Sequence, residues 1–185
     1  MAERVCPVWI GYLLLSPLRK LMQNPYKILS GHVISGMKVM DIGSAMGYFS
    51  LPLADLVGTN GKVFCIDMQE KMLDVLMKRA TKANLENRIV PRVCNQNSLM
   101  IDDLKEKIDF ALTFAMVHEV PDTPLLFTEI FNALKPKGHL LVSEPAGHVS
   151  QEAFENTISI AKQKGFTLIE RPIIRRSLSA LFQKK

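Results

Sequence analysis

The sequence predicts an α/β fold, a mostly parallel sheet with helices wound on both faces, and three observations carry that expectation. Short apolar runs alternate with helical patterns from residue 36 onward. One of those runs closes on a turn of small residues, Gly43-Ser44-Ala45-Met46-Gly47, which flows directly into a helical pattern. The last two runs are separated by only a few residues, so they must be antiparallel, which reverses the final strand. A chain of 185 residues with 48% hydrophobic content can bury one substantial core. One domain is therefore expected over residues 36–185, preceded by an apolar segment, residues 1–35, that serves as a lid or cap.

The N-terminal segment contains Val5-Cys6-Pro7-Val8-Trp9-Ile10-Gly11-Tyr12-Leu13-Leu14-Leu15. It is too short to span a bilayer and no small-residue cleavage pattern follows it. Ser16-Pro17 can open a helix carrying Leu18, Leu21 and Met22, ending near Asn24-Pro25. So many apolar residues need a cover, which leaves an extra core helix, a lid, a peripheral membrane contact or a homodimer interface open.

The first strand is expected over residues 37–42, and the helix after the glycine turn carries Phe49, Leu53, Leu56 and Val57. Pro52 falls early in that helix, and Gly58 and Gly61 stop it. The second strand covers residues 62–66 and ends at Asp67. Residues 69–83 are helical, with Met72, Leu73, Leu76, Met77 and Ala80 on one face. A third strand over 88–94 leads into Asn95-Gln96-Asn97-Ser98, and a fourth over 107–114 leads into the loop of residues 115–122. Thr123-Pro124 opens a helix that buries Leu126, Phe127, Ile130, Phe131 and Leu134, and Lys135-Pro136-Lys137-Gly138 terminates it. A fifth strand at 139–143 precedes the loop of residues 144–148 and a helix capped by Ser150 that runs to about residue 164. Strands at 165–170 and 174–182 close the chain.

The turn at residues 43–47 is a ligand seat, because its glycines permit positive φ and close approach to main chain. A dinucleotide fold asks for G-x-G-x-x-G, whose second and third glycines admit a pyrophosphate and tight helix packing. Ala45 and Tyr48 stand there instead. The pattern therefore favours S-adenosylmethionine over a nicotinamide dinucleotide and speaks against an oxidoreductase. Asp67 lies about 20 residues beyond the turn, where a carboxylate can accept from both ribose hydroxyls. Its structural alternative is an N-cap for the helix that follows.

Four segments in order, VMDIGSAMGYFSLPLA, VFCIDMQEKML, IDFALTFAMVHEVPD and ALKPKGHLLVSEP, give a more specific signal. Together the chain resembles the class I S-adenosylmethionine-dependent methyltransferases, particularly the small quinone-biosynthesis methyltransferases, over roughly residues 36–145. The resemblance implies a Rossmann-like sheet of seven strands in the order 3-2-1-4-5-7-6 with strand 7 reversed. It also implies a cofactor-binding set of Asp41, Gly43, Ser44, Gly47, Asp67, Met68, Asn97, Ser98 and Ala115. Asn97 takes the place of an Asp that often reads the adenine amino group, and an amide can make that contact; a plain turn is the alternative.

Methyl transfer from a sulfonium is an in-line displacement that depends mainly on positioning. His118 and Glu119 are the candidates to take a proton from an acceptor hydroxyl, amine or activated carbon, whereas a thiolate, selenide or arsenite needs no base. Their structural alternatives are a backbone-bonded loop histidine and a solvated carboxylate. His148, Arg171 and Arg175 are expected at the same edge. The acceptor is expected to be small and apolar or a soft nucleophile, with a non-catalytic S-adenosylmethionine-binding subunit as the alternative reading.

The net charge of +5 comes from basic residues spread over helical faces and both ends, without a stripe of Arg or Lys interleaved with aromatics. Nucleic acid is not the expected partner. Cys6, Cys65 and Cys94 have no C-x-x-C spacing and are odd in number, which suits a reducing, cytoplasmic location and predicts no metal site.

Overall fold

The computed structural model describes residues 23–185. It begins with α1 (Pro25–Leu29), continues with β1 (Lys38–Ile42), α2 (Ser50–Leu56), β2 (Lys62–Asp67) and α3 (Glu70–Lys82), and then enters β3 (Ile89–Val93). β4 (Ile108–Phe114), α4 (Thr123–Ala133), β5 (Leu134–Pro145), α5 (Gln151–Gln163), β6 (Phe166–Glu170) and β7 (Ser177–Lys184) complete the order. The seven strands form one sheet in the order β3-β2-β1-β4-β5-β7-β6, with β7 antiparallel to both neighbours, as expected.

Alternation along the strands sorts the side chains onto two faces. Met40, Ile42, Phe64, Ile66, Leu140, Val142 and Phe182 pack against α4 and α5 through Phe127, Ile130, Phe154 and Ile158. Val39, Val63, Cys65, Phe110, Leu112 and Leu181 pack on the other face against Leu29, Leu53, Leu73 and Leu76. Both layers are buried, which is why the central strands read as continuous apolar runs. No helix among the described residues is long and apolar enough to cross a membrane.

Three boundaries differ from the sequence expectation for identifiable reasons. Asn24-Pro25 opens a helix that the sequence does not announce: the Asn24 side-chain oxygen accepts from the N–H groups of Tyr26 and Lys27, and Pro25 takes the first helical position. The proposed helix from Ser16-Pro17 lies outside the described residues. β5 begins at Leu134, not 139, because Leu134 already pairs with Ile108 and a register shift absorbs the Lys-Pro-Lys-Gly run, with Lys137 at φ 64°. β7 begins at Ser177, since Arg176 adopts φ 59° and the Ser177 N–H folds back to the Ile174 carbonyl.

The glycine turn delays α2 until Ser50, because Gly43, Ala45 and Gly47 have φ of 73°, 44° and 82° and cannot be helical. Gly47 has a packing reason too: a Cβ there would meet Leu51 at 2.8 Å and Leu76 at 2.9 Å. Ala45 holds a left-handed conformation that costs an L-residue about 1 kcal/mol. Ala45→Gly should relieve that strain while loosening the unfolded chain by a similar amount. Its unfolding free energy should lie within about 1 kcal/mol of the parent's, on the stabilised side, in chemical denaturation; a clear loss would mean that the methyl group packs.

Candidate functional site

The chain runs from β1 to β2 to β3 on one side of the sheet and returns to β4 on the other side of β1. Strand order therefore reverses between β1 and β4, and the crevice beyond their carboxyl ends is where such sheets bind ligands. The glycine turn, Asp67, the 95–98 turn and residues 115–119 all emerge on that edge.

Asp67 ties the edge together. One carboxylate oxygen accepts from the Ala45 N–H at 2.8 Å and the other from the Gln69 N–H at 2.9 Å, joining the glycine turn to the start of α3. Burial pushes its carboxyl above the usual range, against the opposing pull of the N–H groups of Gln69, Ala45 and Met68. The N-cap position of α3 is Gln69, so Asp67 is not the cap itself but holds the cap residue's amide. Two carboxylate oxygens offer more lone pairs than the three amides use, so acceptor capacity remains.

The turn itself is internally bonded. Gly43 and Ser44 donate their N–H groups to the Ile66 carbonyl, and Gly47 donates to Ser44. The Arg79 guanidinium donates to the Met46 carbonyl from α3. With those amides spent, the turn presents a backbone surface and not a cradle for phosphates. Gly43 is exposed, and a Cβ on it would meet Met116 Cβ at 2.9 Å, so this position has no room for a side chain. Ser44 Oγ is buried without a hydrogen-bond partner among the described residues. Asp41 lies beneath, 3% exposed, and accepts from the Ser50 hydroxyl at 2.5 Å. It supports the turn from inside.

The remaining sequence candidates divide by placement. Met68 is exposed next to Asp67 and offers apolar surface at the rim. Asn97 is exposed in a turn closed by the Asn95–Ser98 bridge, and its N–H donates to the Asn95 side chain. Ser98 spends its hydroxyl on Glu129 of α4 at 2.6 Å, which fixes the turn. Ala115, at φ 58°, donates its N–H to Ser143 and turns the chain out of β4. Arg171 is paired in a two-pronged contact with Glu155 at 2.6 and 2.8 Å. Cys94, beside Asp67, is no reagent: burial and the Asp67 charge push its thiol up to about 11.

The loop after β4 brings together His118, Glu119, Glu144 and His148. Glu144 is 2% exposed and accepts from the N–H groups of Met116 and Val117 at 3.2 and 2.9 Å, while its other oxygen meets His118 Nδ1. His118 Nε2 lies 4.0 Å from Glu119, and the His148 ring stands perpendicular to the His118 ring at 6.3 Å. Burial raises the Glu119 carboxyl; His118 and His148 oppose that rise, and the charges of Glu144 and Asp67 add to it. These groups share one electrostatic environment. Among the described residues no cluster of three or more His, Cys, Asp or Glu side chains could hold a metal ion.

Sequence reasoning missed three residues of this arrangement. Glu144, Arg79 and Glu129 act through contacts 26, 33 and 31 residues away in sequence, which no local pattern announces. Glu144 left one signal, a carboxylate closing an otherwise apolar strand.

Comparison with known proteins identifies the family and the fold. The family model described as "Methyltransferase domain" matches residues 34–179. A demethylmenaquinone methyltransferase of Lactococcus lactis is 27% identical over 128 residues, covering 66% of this chain and 48% of that protein. A ubiquinone/menaquinone biosynthesis C-methyltransferase of Cellvibrio japonicus is 29% identical, covering 70% and 53%. The chain spans about half the length of these curated relatives. A solved S-adenosylmethionine-dependent methyltransferase of Aquifex aeolicus superposes with a TM-score of 0.86 at 20% identity, over 98% of this chain and all of that one. The fold is the one that structure has, and the match over residues 34–179 shows that the chain belongs to the methyltransferase domain family.

Proposed function

We propose that the chain transfers a methyl group from S-adenosylmethionine to a small acceptor at the edge between the glycine turn and the His118–Glu144 cluster. The carrying observation is the Asp67 carboxylate, held by the Ala45 and Gln69 amides at the switch point with acceptor capacity to spare. S-adenosylmethionine is the cofactor of this family's reaction and supplies an electrophilic methyl on a sulfonium when bound. The residues present fit it. Gly43 leaves main chain open where a Cβ would fill the space, Ser44 Oγ is a buried hydroxyl awaiting a partner, and Met68 offers an apolar face. Asp67 would hold the ribose, residues 43–44 the amino-acid part, and Met68 with the 95–98 turn the base. The carboxylates of Asp67 and Glu119 favour a cationic ligand over an anionic one. His118 and Glu119 face the acceptor side as proton acceptors.

The relatives named for quinone biosynthesis favour a flat, apolar acceptor. Gln23 sits at the same edge. Gln23 donates to the Ser177 hydroxyl at 3.1 Å, and its carbonyl accepts from Tyr48 at 2.9 Å, so the chain enters between the glycine turn and β7. Residues 1–22, with Trp9, Tyr12 and Leu13, precede Gln23 in sequence and are proposed to complete the acceptor pocket. Leu29 and Val33, by contrast, belong to the core.

Asp67→Ala should weaken S-adenosylmethionine binding by roughly 1.5–3 kcal/mol in calorimetry while unfolding stays cooperative; an unchanged dissociation constant would remove Asp67 from the ribose role. Because burial raises the Asp67 carboxyl, the native state holds its proton more tightly than the unfolded chain. The stability tied to that proton is full below the unfolded value and lost as pH rises through the raised one. Binding runs the opposite way, because the ribose hydroxyls need the ionised acceptor. Affinity should be flat at neutral pH and fall on acidification beginning above the ordinary Asp range, a dependence that Asp67→Ala should abolish. Deleting residues 1–22 should leave a folded domain that binds S-adenosylmethionine more weakly and has lost acceptor turnover. Aggregation of the truncated chain would identify the segment as core or interface.

A further inference from the structure

The geometry points to Glu144 as the residue that fixes the tautomer of His118, so that His118 Nε2 takes a proton from an acceptor that must lose one as it is methylated. The inference rests on the methyltransferase reading and adds the acceptor's chemical class.

Glu144 is a carboxylate at 2% exposure whose two oxygens are assigned to different partners. One accepts both backbone amides of the loop, Met116 and Val117, and the other faces His118 Nδ1. A carboxylate that only accepts obliges the imidazole to present Nδ1–H. Nε2 is then the bare nitrogen. The His118 side chain keeps 27% of its surface accessible, and Glu119 stands 4.0 Å from Nε2, too far to bond the nitrogen yet close enough to stabilise an imidazolium. A buried acid orienting a histidine whose side chain stays partly exposed is the arrangement of a general base.

A base so prepared has work only if the acceptor carries a proton. The acceptor lone pair forms the new bond to the methyl carbon as the sulfonium C–S bond breaks, and the acceptor proton passes to His118 Nε2. Charge balances: the sulfonium cation becomes a neutral thioether, and the new positive charge resides on an imidazolium flanked by Glu144 and Glu119. Phenols, hydroquinones, amines and acidic carbons belong to this class. Arsenite and hydrosulfide, which can react as anions without a base, do not.

Glu144→Gln separates positioning from packing because the side chain keeps its shape. Its single oxygen is claimed by the Met116 and Val117 amides, so its NH₂ must turn toward His118 Nδ1 and force the Nε2–H tautomer. Long-range proton–nitrogen NMR on histidine-labelled protein with S-adenosylhomocysteine, at a pH where His118 is neutral, reads this directly. The parent should show Nδ1–H at His118, and Glu144→Gln should show Nε2–H with unchanged affinity for S-adenosylhomocysteine. An Nε2–H tautomer in the parent, or no change in the variant, overturns the role of Glu144. Loss of S-adenosylhomocysteine binding by the parent would instead overturn the methyltransferase reading. With a hydroquinone as probe, turnover should fall about 100-fold in Glu144→Gln at an unchanged KM. Arsenite methylation that is equal in parent and variant, with no hydroquinone turnover, overturns the acceptor class.

Discussion

The carboxylate of Asp67 is the contact on which the cofactor edge depends. It stands at the end of β2, yet it bonds the amide of Ala45 in the turn after β1 and the amide of Gln69 at the start of α3. Two connections separated by 22 residues are thereby held in one orientation. Without this acceptor, Ala45 would have no reason to keep a strained left-handed backbone, and the turn would lose the open main chain at Gly43. Burial raises the cost of ionising the group, and the surrounding N–H groups offset part of it. The strained residue, Ala45, and the carboxylate that holds it are thus joined by one bond.

A second buried carboxylate organises the other half of the crevice by the same device. Glu144 gathers the two amides that begin the loop after β4 and the ring of His118. Each side of the crevice is thus built on a strand-end acid that satisfies backbone donors of the neighbouring connection. Such a site is rigid before ligand arrives, because the orienting bonds are internal to the protein. The difference lies in exposure: Asp67 keeps capacity for a ligand, whereas Glu144 is consumed in holding another side chain.

The parts legible in the sequence were those written in local pattern. Continuous apolar strands, the amphipathic face of α3 and the Ser150 cap appear where the residues placed them, because period and capping chemistry act over a few positions. The glycine turn after β1 and the place of Asp67 at the end of β2 were legible for the same reason. Register was less so. The run Lys135-Pro136-Lys137-Gly138 reads as a terminator, and it does end α4, but pairing with β4 keeps it extended. Asn24-Pro25 reads as a helix end, and the helix start there rests on the side-chain bond of Asn24 to Tyr26 and Lys27. Partners distant in sequence, Glu144 with His118 and Arg79 with Met46, were invisible until the sheet brought them together.

The central claim is that S-adenosylmethionine lies across the ends of β1 and β2 with its ribose on Asp67. A crystal structure of the full chain grown with S-adenosylhomocysteine tests it most directly. The account predicts the ribose hydroxyls within hydrogen-bond distance of the Asp67 carboxylate, the amino-acid end against Gly43 and Ser44, and the sulfur facing His118. A ligand bound elsewhere, or one at this edge whose ribose makes no contact with Asp67, would contradict it.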